Sequence, residues 1–141
     1  MRWLILIPII LLAAMILLSL LSRRGEAIGL VDGQLAPLSA KPNCVSSEAC
    51  TDPSKQVAPL NTDRDGLLVA IETTGGTVIN DTGDYVSTIY TTGLMRFVDD
   101  VEFRREGDIW HVRSASRVGH SDMGANRKRV KAIRDALSKT G

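Results

Sequence analysis

Residues 97–118, FVDDVEFRREGDIWHVRSASRV, embed charges in a strand-like alternation, and no other stretch restricts the chain as much. Phe97, Asp99, Val101 and Phe103 fall on one side of a period-two pattern, and Val98, Asp100, Glu102 and Arg104 on the other. A two-residue turn at 106–107 leads into a second run over 109–118. That turn sets Phe103 opposite Trp110, Val101 opposite Val112 and Asp99 opposite Ser114 on one face. On the other it sets Asp100 opposite Arg113 and Glu102 opposite His111. Neither face is purely apolar. A charge withdrawn from water needs a partner, so the hairpin must fold into a specific polar network.

The rest of the folded part follows from periodicity and punctuation. Thr62 and Asp65 mark a helix start, Leu67, Leu68 and Ile71 follow at helical spacing, and Gly75-Gly76 stops the run. Short strands are expected at 77–80 and 85–92, joined by an Asp-Thr-Gly-Asp turn. Asp122 can cap a last helix reaching about residue 138. In it Val130, Ile133 and Leu137 form an apolar stripe, with Asn126 inside the stripe and Arg129 at its edge. Arg127, Lys128, Lys131 and Arg134 fall toward water. Asp99 is the acid on the apolar side of the 97–103 strand, so an Asp99–Arg129 ion pair is expected, with Asn126 and Ser114 completing its hydrogen bonds.

Residues 3–21 are almost wholly apolar. Nineteen residues at 1.5 Å rise match a hydrocarbon core of about 30 Å, and the run exceeds the 7–15 residues usual for a cleaved leader. Ser22, Arg23 and Arg24 follow without a small-residue cleavage pattern. The segment is read as an uncleaved anchor, residues 1–24. Arg2 and the terminal amine flank one end and two arginines the other, so charge does not decide orientation; a two-residue N-terminal tail favours an exported domain. Residues 25–61 hold Pro37, Pro42, Pro53 and Pro59 and read as an extended lead-in. Residues 62–141 then form the domain.

Composition excludes several functions. All 16 acidic residues but only 14 of the 17 basic ones lie beyond Arg24, a net charge of −2, and the basic last helix has no interleaved aromatics. Nucleic acid is therefore not an expected partner. Two cysteines and two histidines fit no zinc template, so neither metal nor cofactor is expected. Asp99 and Asp100 are sequence neighbours on a strand, so their side chains diverge and each is read as half of a structural ion pair. Cys44, in a Pro-Asn-Cys-Val turn, is the one nucleophile considered, and it would need a histidine beside it. Arg113, Ser114, Ser116, Arg117, Asn126 and Arg129 have the chemistry of an anion cradle, with free N–H groups of the last helix adding to it.

FVDDVEF, VRSASRVG and SD-x-G-x-N-x-x-R, preceded by PNCVSS at 42–47 and DG-x-L at 32–35, together resemble domain of unknown function family 1499. The resemblance spans about residues 29–138. It implies a bacterial or plastid protein, often behind a membrane anchor, and no established activity. The family pattern carries a further cysteine shortly before the PNC, where this chain has Leu38.

The expected fold is α+β: an N-terminal transmembrane helix, then a two-layer domain. One helix, a four-stranded antiparallel sheet and a basic C-terminal helix on one face make up that domain. The expected function is that of a single-pass bacterial inner-membrane accessory domain, more periplasmic than cytoplasmic. It would bind a partner protein or small anionic ligand, and the alternative is a Cys44-dependent enzyme.

Overall fold

The computed structural model describes residues 3–48 and 50–140; Arg2, weighed above for orientation, and Gly141 lie outside them. The apolar run forms α1 (Trp3–Ser22), with Pro8 in an early turn where a missing N–H costs little. By length and composition alone, α1 can cross a membrane. The chain continues through β1 (Leu30–Val31), β2 (Gln34–Leu35), β3 (Cys44–Ser46), a 3-10 turn at Pro53–Lys55 and β4 (Leu60–Asn61). Then come α2 (Arg64–Thr73), β5 (Thr77–Asp81), β6 (Tyr85–Thr91), β7 (Val98–Glu106), β8 (Ile109–Ser116) and α3 (Ala125–Thr140).

The fold is α+β, but the main sheet has six strands rather than four, in the order β3-β8-β7-β6-β5 with β4 also on β8. The two extra strands come from the supposed lead-in. β3 pairs with 113–115 of β8 and β4 with 109–110, so a single sheet edge is covered twice, before and after an excursion. Two- and three-residue strands carry too little alternation to be read from sequence. β1 and β2 form a separate hairpin.

The β7–β8 register differs from the expected one by two residues. Phe103 faces Val112, Asp99 faces Ser116 and Glu102 faces Arg113. The turn is Gly107-Asp108, not 106–107, and Gly107 has φ 59°. A two-residue hairpin with glycine first is the turn whose twist suits its strands, and that sets the register. A shift of two keeps every side chain on its expected face. Phe103 and Trp110 thus share a face but sit diagonally, and Asp100 opposes Ala115 rather than Arg113.

One sheet face packs on α2 and α3. Leu67, Ala70 and Ile71 of α2 and Val130 and Ile133 of α3 bury themselves against Val86, Val101, Phe103, Trp110 and Val112. Each large side chain so buried contributes roughly 1.5–3 kcal/mol. The opposite face is covered by residues 25–48. That segment brings few buried apolar side chains, chiefly Leu35 and Ala36, so it is held mostly by polar contacts.

Two polar networks on opposite faces of the sheet

The six residues read as an anion cradle do not converge. Alternation along β8 sends Ser114 and Ser116 to the helical face, and Arg113 and the following Arg117 to the other. Two separate networks result.

On the helical face, α3 begins with Asp122 accepting from the backbone N–H groups of Gly124 (2.8 Å) and Asn126 (2.9 Å). A carboxylate already occupies that helix N-terminus, so it is closed to an exogenous anion. The Asn126 amide donates to Asp122, to the Asn43 carbonyl and to Ser116 Oγ, at 2.6 to 2.9 Å. Its carbonyl accepts from Ser114 Oγ (2.6 Å) and Arg129 Nη1 (2.8 Å). Arg129 Nη2 donates to Asp99 Oδ2 at 2.6 Å, and the guanidinium lies 5.0 Å from the Tyr90 ring centre. Asn126 is fully buried and Asp99 nearly so. Burial pushes the Asp122 carboxyl up, but the hydrogen bonds from Asn126 and Gly124 outweigh it, and the net shift is downward. Burial raises the Tyr90 hydroxyl above its ordinary value, with Thr74 and Arg129 opposing.

On the other face, Glu102 is fully buried beneath the lead-in. It accepts from Arg113 Nη1 (3.0 Å), Tyr85 Oη (2.7 Å) and the Gly29 backbone N–H (2.7 Å). Burial, then the bond to Glu102, raises the Tyr85 hydroxyl well above its ordinary value. Arg113 Nε also donates to the Ala36 carbonyl. Glu48 accepts from the Leu35 N–H and pairs with Arg104. Arg117 binds Asp100 through two 2.7 Å hydrogen bonds. That pairing, partly offset by burial, raises the Arg117 pKa. So Asp100 pairs with Arg117 and Glu102 with Arg113, whereas register reasoning set Asp100 on Arg113 and Glu102 on His111.

The anchor is wired into this second network. Arg117 Nη1 donates to the Ser22 carbonyl (3.0 Å), and Ser22 Oγ accepts from the backbone N–H of Val98 (3.1 Å). Ser22 is fully buried and Ser19 nearly so. Open clefts of about 530 and 350 Å³ share Gly25, Glu26, Asp100 and Arg117 in their walls; Arg23 lines the first and Lys41 the second.

Cys44 is buried, its Sγ 3.5 Å from the Lys41 carbonyl and 3.7 Å from Ser39 Oγ. His111 is held by Ser47 (3.2 Å) and Glu106 (2.8 Å) instead. In that Ser-His-Glu array Ser47 Oγ already receives the Val112 N–H and is itself buried, an arrangement of wiring rather than of a nucleophile. The hydrogen bond from His111, then that from Arg104, lowers the Glu106 carboxyl. Among the described residues, no three His, Cys, Asp or Glu side chains gather as metal ligands.

Sequence reasoning missed Glu48, Asn43, Tyr85 and Ser22. All but Tyr85 lie in or before the proline-punctuated stretch, where no periodicity assigns a side chain to a face. Two basic residues assigned to water are also tethered: Arg127 donates to the Ser54 and Gln56 carbonyls, and Arg134 to that of Ala58.

Fold and site define a small α+β domain with an N-terminal apolar helix, cross-braced by buried ion pairs and offering no assembled catalytic group among its described residues. The family described as Protein of unknown function (DUF1499) matches residues 34–137, and the chain belongs to it. No curated protein matches the chain.

Proposed function

We propose that this protein is a membrane-anchored, non-enzymatic accessory domain whose work is to hold a partner protein at the foot of its anchor. The junction at Ser22 carries the reading. A leader destined for removal has no reason to donate a buried serine to a sheet edge and a carbonyl to a core arginine. An anchor that positions a domain does. The domain then sits at a set height and tilt on the membrane, in our reading the periplasmic side of a bacterial inner membrane.

Of the two kinds of partner, a protein fits better than a small anion. Arg113, Arg117 and Arg129 each carry a carboxylate already. An incoming anion would displace a buried acid, which costs more than it returns. The cleft around Arg23, Glu26, Asp100 and Arg117 mixes both signs, as protein contacts do.

Two measurements test this. Intact mass of the protein from native membranes should include residues 3–22, and alkaline washing should leave it in the pellet. A photocrosslinker at Glu26 or Ile79, on the cleft rim, should trap one discrete protein, and one at Asp108, at the far hairpin, should not. A mature chain beginning after residue 22 removes the anchor, and equal trapping at Asp108 removes the binding cleft.

A further inference from the structure

Two loops flank the end of α1 with exposed apolar tips. The first, 92–97, is closed by the Thr92 N–H on the Phe97 carbonyl and the Phe97 N–H on Thr92 Oγ1, both at 2.9 Å. Its tip, Leu94, is 95% exposed, and Met123 in the 119–124 loop is 90% exposed. A rigid loop holding a leucine wholly in water, with a methionine doing the same nearby, is an arrangement that asks for a cover.

The clefts behind these tips say what the cover is. Leu94, Met95 and Arg96 share a cleft of about 170 Å³ with Ile16, Leu20 and Arg23 of the α1 segment. Met123 shares one of about 360 Å³ with Met15, Leu18, Phe97 and Val118. Both grooves therefore have the apolar helix as one wall, at the level of 15–20. The apolar window Ile5–Ser22 is 18 residues, about 27 Å of helix, close to the hydrocarbon thickness. Ser22 then lies at the hydrocarbon edge, and Met15 to Leu20 lie about 3–10 Å inside it. That is the depth to which interfacial apolar groups insert, about 5–10 Å. The first groove has aliphatic walls and two arginines, Arg23 and Arg96, both exposed. An acyl chain topped by a phosphate has the matching shape and charge.

We infer that the 92–97 and 119–124 loops dip into the lipid leaflet beside α1, with Leu94 and Met123 among the acyl chains and Arg23 and Arg96 on the headgroup of an anionic phospholipid. The occupant is lipid of the surrounding leaflet, not a protein helix, because the grooves open along the same helix face that the bilayer would surround. This rests on α1 being an anchor, and the test separates the two claims.

The full chain carrying Cys50→Ser is reconstituted in mixed phosphatidylcholine–phosphatidylglycerol vesicles. Single cysteines are placed by Leu94→Cys, Met123→Cys, Leu12→Cys or Asp108→Cys and labelled with an environment-sensitive fluorophore. Lipids brominated on the acyl chain should quench the probes at 94, 123 and 12, and aqueous iodide the probe at 108. Brominated phosphatidylglycerol should quench at 94 in preference to brominated phosphatidylcholine. Arg23→Gln and Arg96→Gln should each cut that preference about fivefold. Iodide access at 94 and 123 with lipid quenching at 12 overturns the inference while leaving the anchor standing. Iodide access at 12 overturns both. A preference unchanged in the double arginine variant overturns the headgroup assignment.

Discussion

Arg129 shows what a single charge does here. Its guanidinium is held by Asp99, Asn126, Ser114 and the Tyr90 ring, and its acid partner is nearly excluded from water. Arg129→Ala should therefore cost about 3–5 kcal/mol in a denaturant melt, because Asp99 is left charged and alone. Lys128→Ala, one residue away on the wet side of α3, should change stability by less than about 0.5 kcal/mol. Asp122 allows a pH test. Its folded pKa is depressed, so it contributes stability at neutral pH that is lost as pH falls through the folded value. Asp122→Ala should cost about 0.5–2 kcal/mol at pH 7. The gap between wild type and variant should close below about pH 4, where aspartates protonate. A gap that persists in acid would mean that the carboxylate charge is not what caps α3.

At the scale of elements, the end of α2 depends on two glycines for different reasons. Gly75 has φ 87° with open space around it, and Gly76 donates to the Ile71 carbonyl to close the helix. A Cβ on Gly76 would lie 2.6 Å from Tyr90 Cζ and 2.7 Å from Ile71 Cγ2, both in the core. Gly75→Ala should cost about 1–2 kcal/mol, and Gly75→Asn should recover most of it, because asparagine accepts the left-handed region. Gly76→Ala should cost about 1–3 kcal/mol by overpacking, and Gly76→Asn should recover nothing. Chemical denaturation midpoints of the four variants check this. The β7–β8 hairpin teaches a related lesson. Alternation assigned each face of 97–104 and 109–116 from sequence, yet the turn chemistry of Gly107 alone set the register, and with it the partners of Asp100 and Glu102.

For the molecule as a whole, the lead-in is structural. Residues 25–61 supply β3 and β4, cover the buried Glu102 and bring Glu48 to Arg104. A chain truncated to 62–141 should lose its cooperative thermal transition, while one truncated to 25–141 should keep it. Differential scanning calorimetry distinguishes them. Should 62–141 melt cooperatively with wild-type enthalpy, the polar face contributes nothing to folding. Ion pairs are an unusual way to seat a segment, since desolvation costs nearly as much as pairing returns. They serve where the segment has few apolar side chains, and they seat it in one register only.

The amino-acid pattern by itself determined the apolar helix, α2, the strand-rich middle, the faces of β7 and β8 and the inward aim of Asn126 and Arg129. Each of these is a local periodicity, carried by neighbours within a few residues. Folding alone decided that residues 44–46 and 60–61 close the edge of β8, that Glu48 meets Arg104 across 56 residues, and that Ser22 joins the anchor to Val98 and Arg117. Those contacts join segments with no shared period. What selects them is the need of buried charges and buried backbone groups for partners, and that need is set only once the sheet exists.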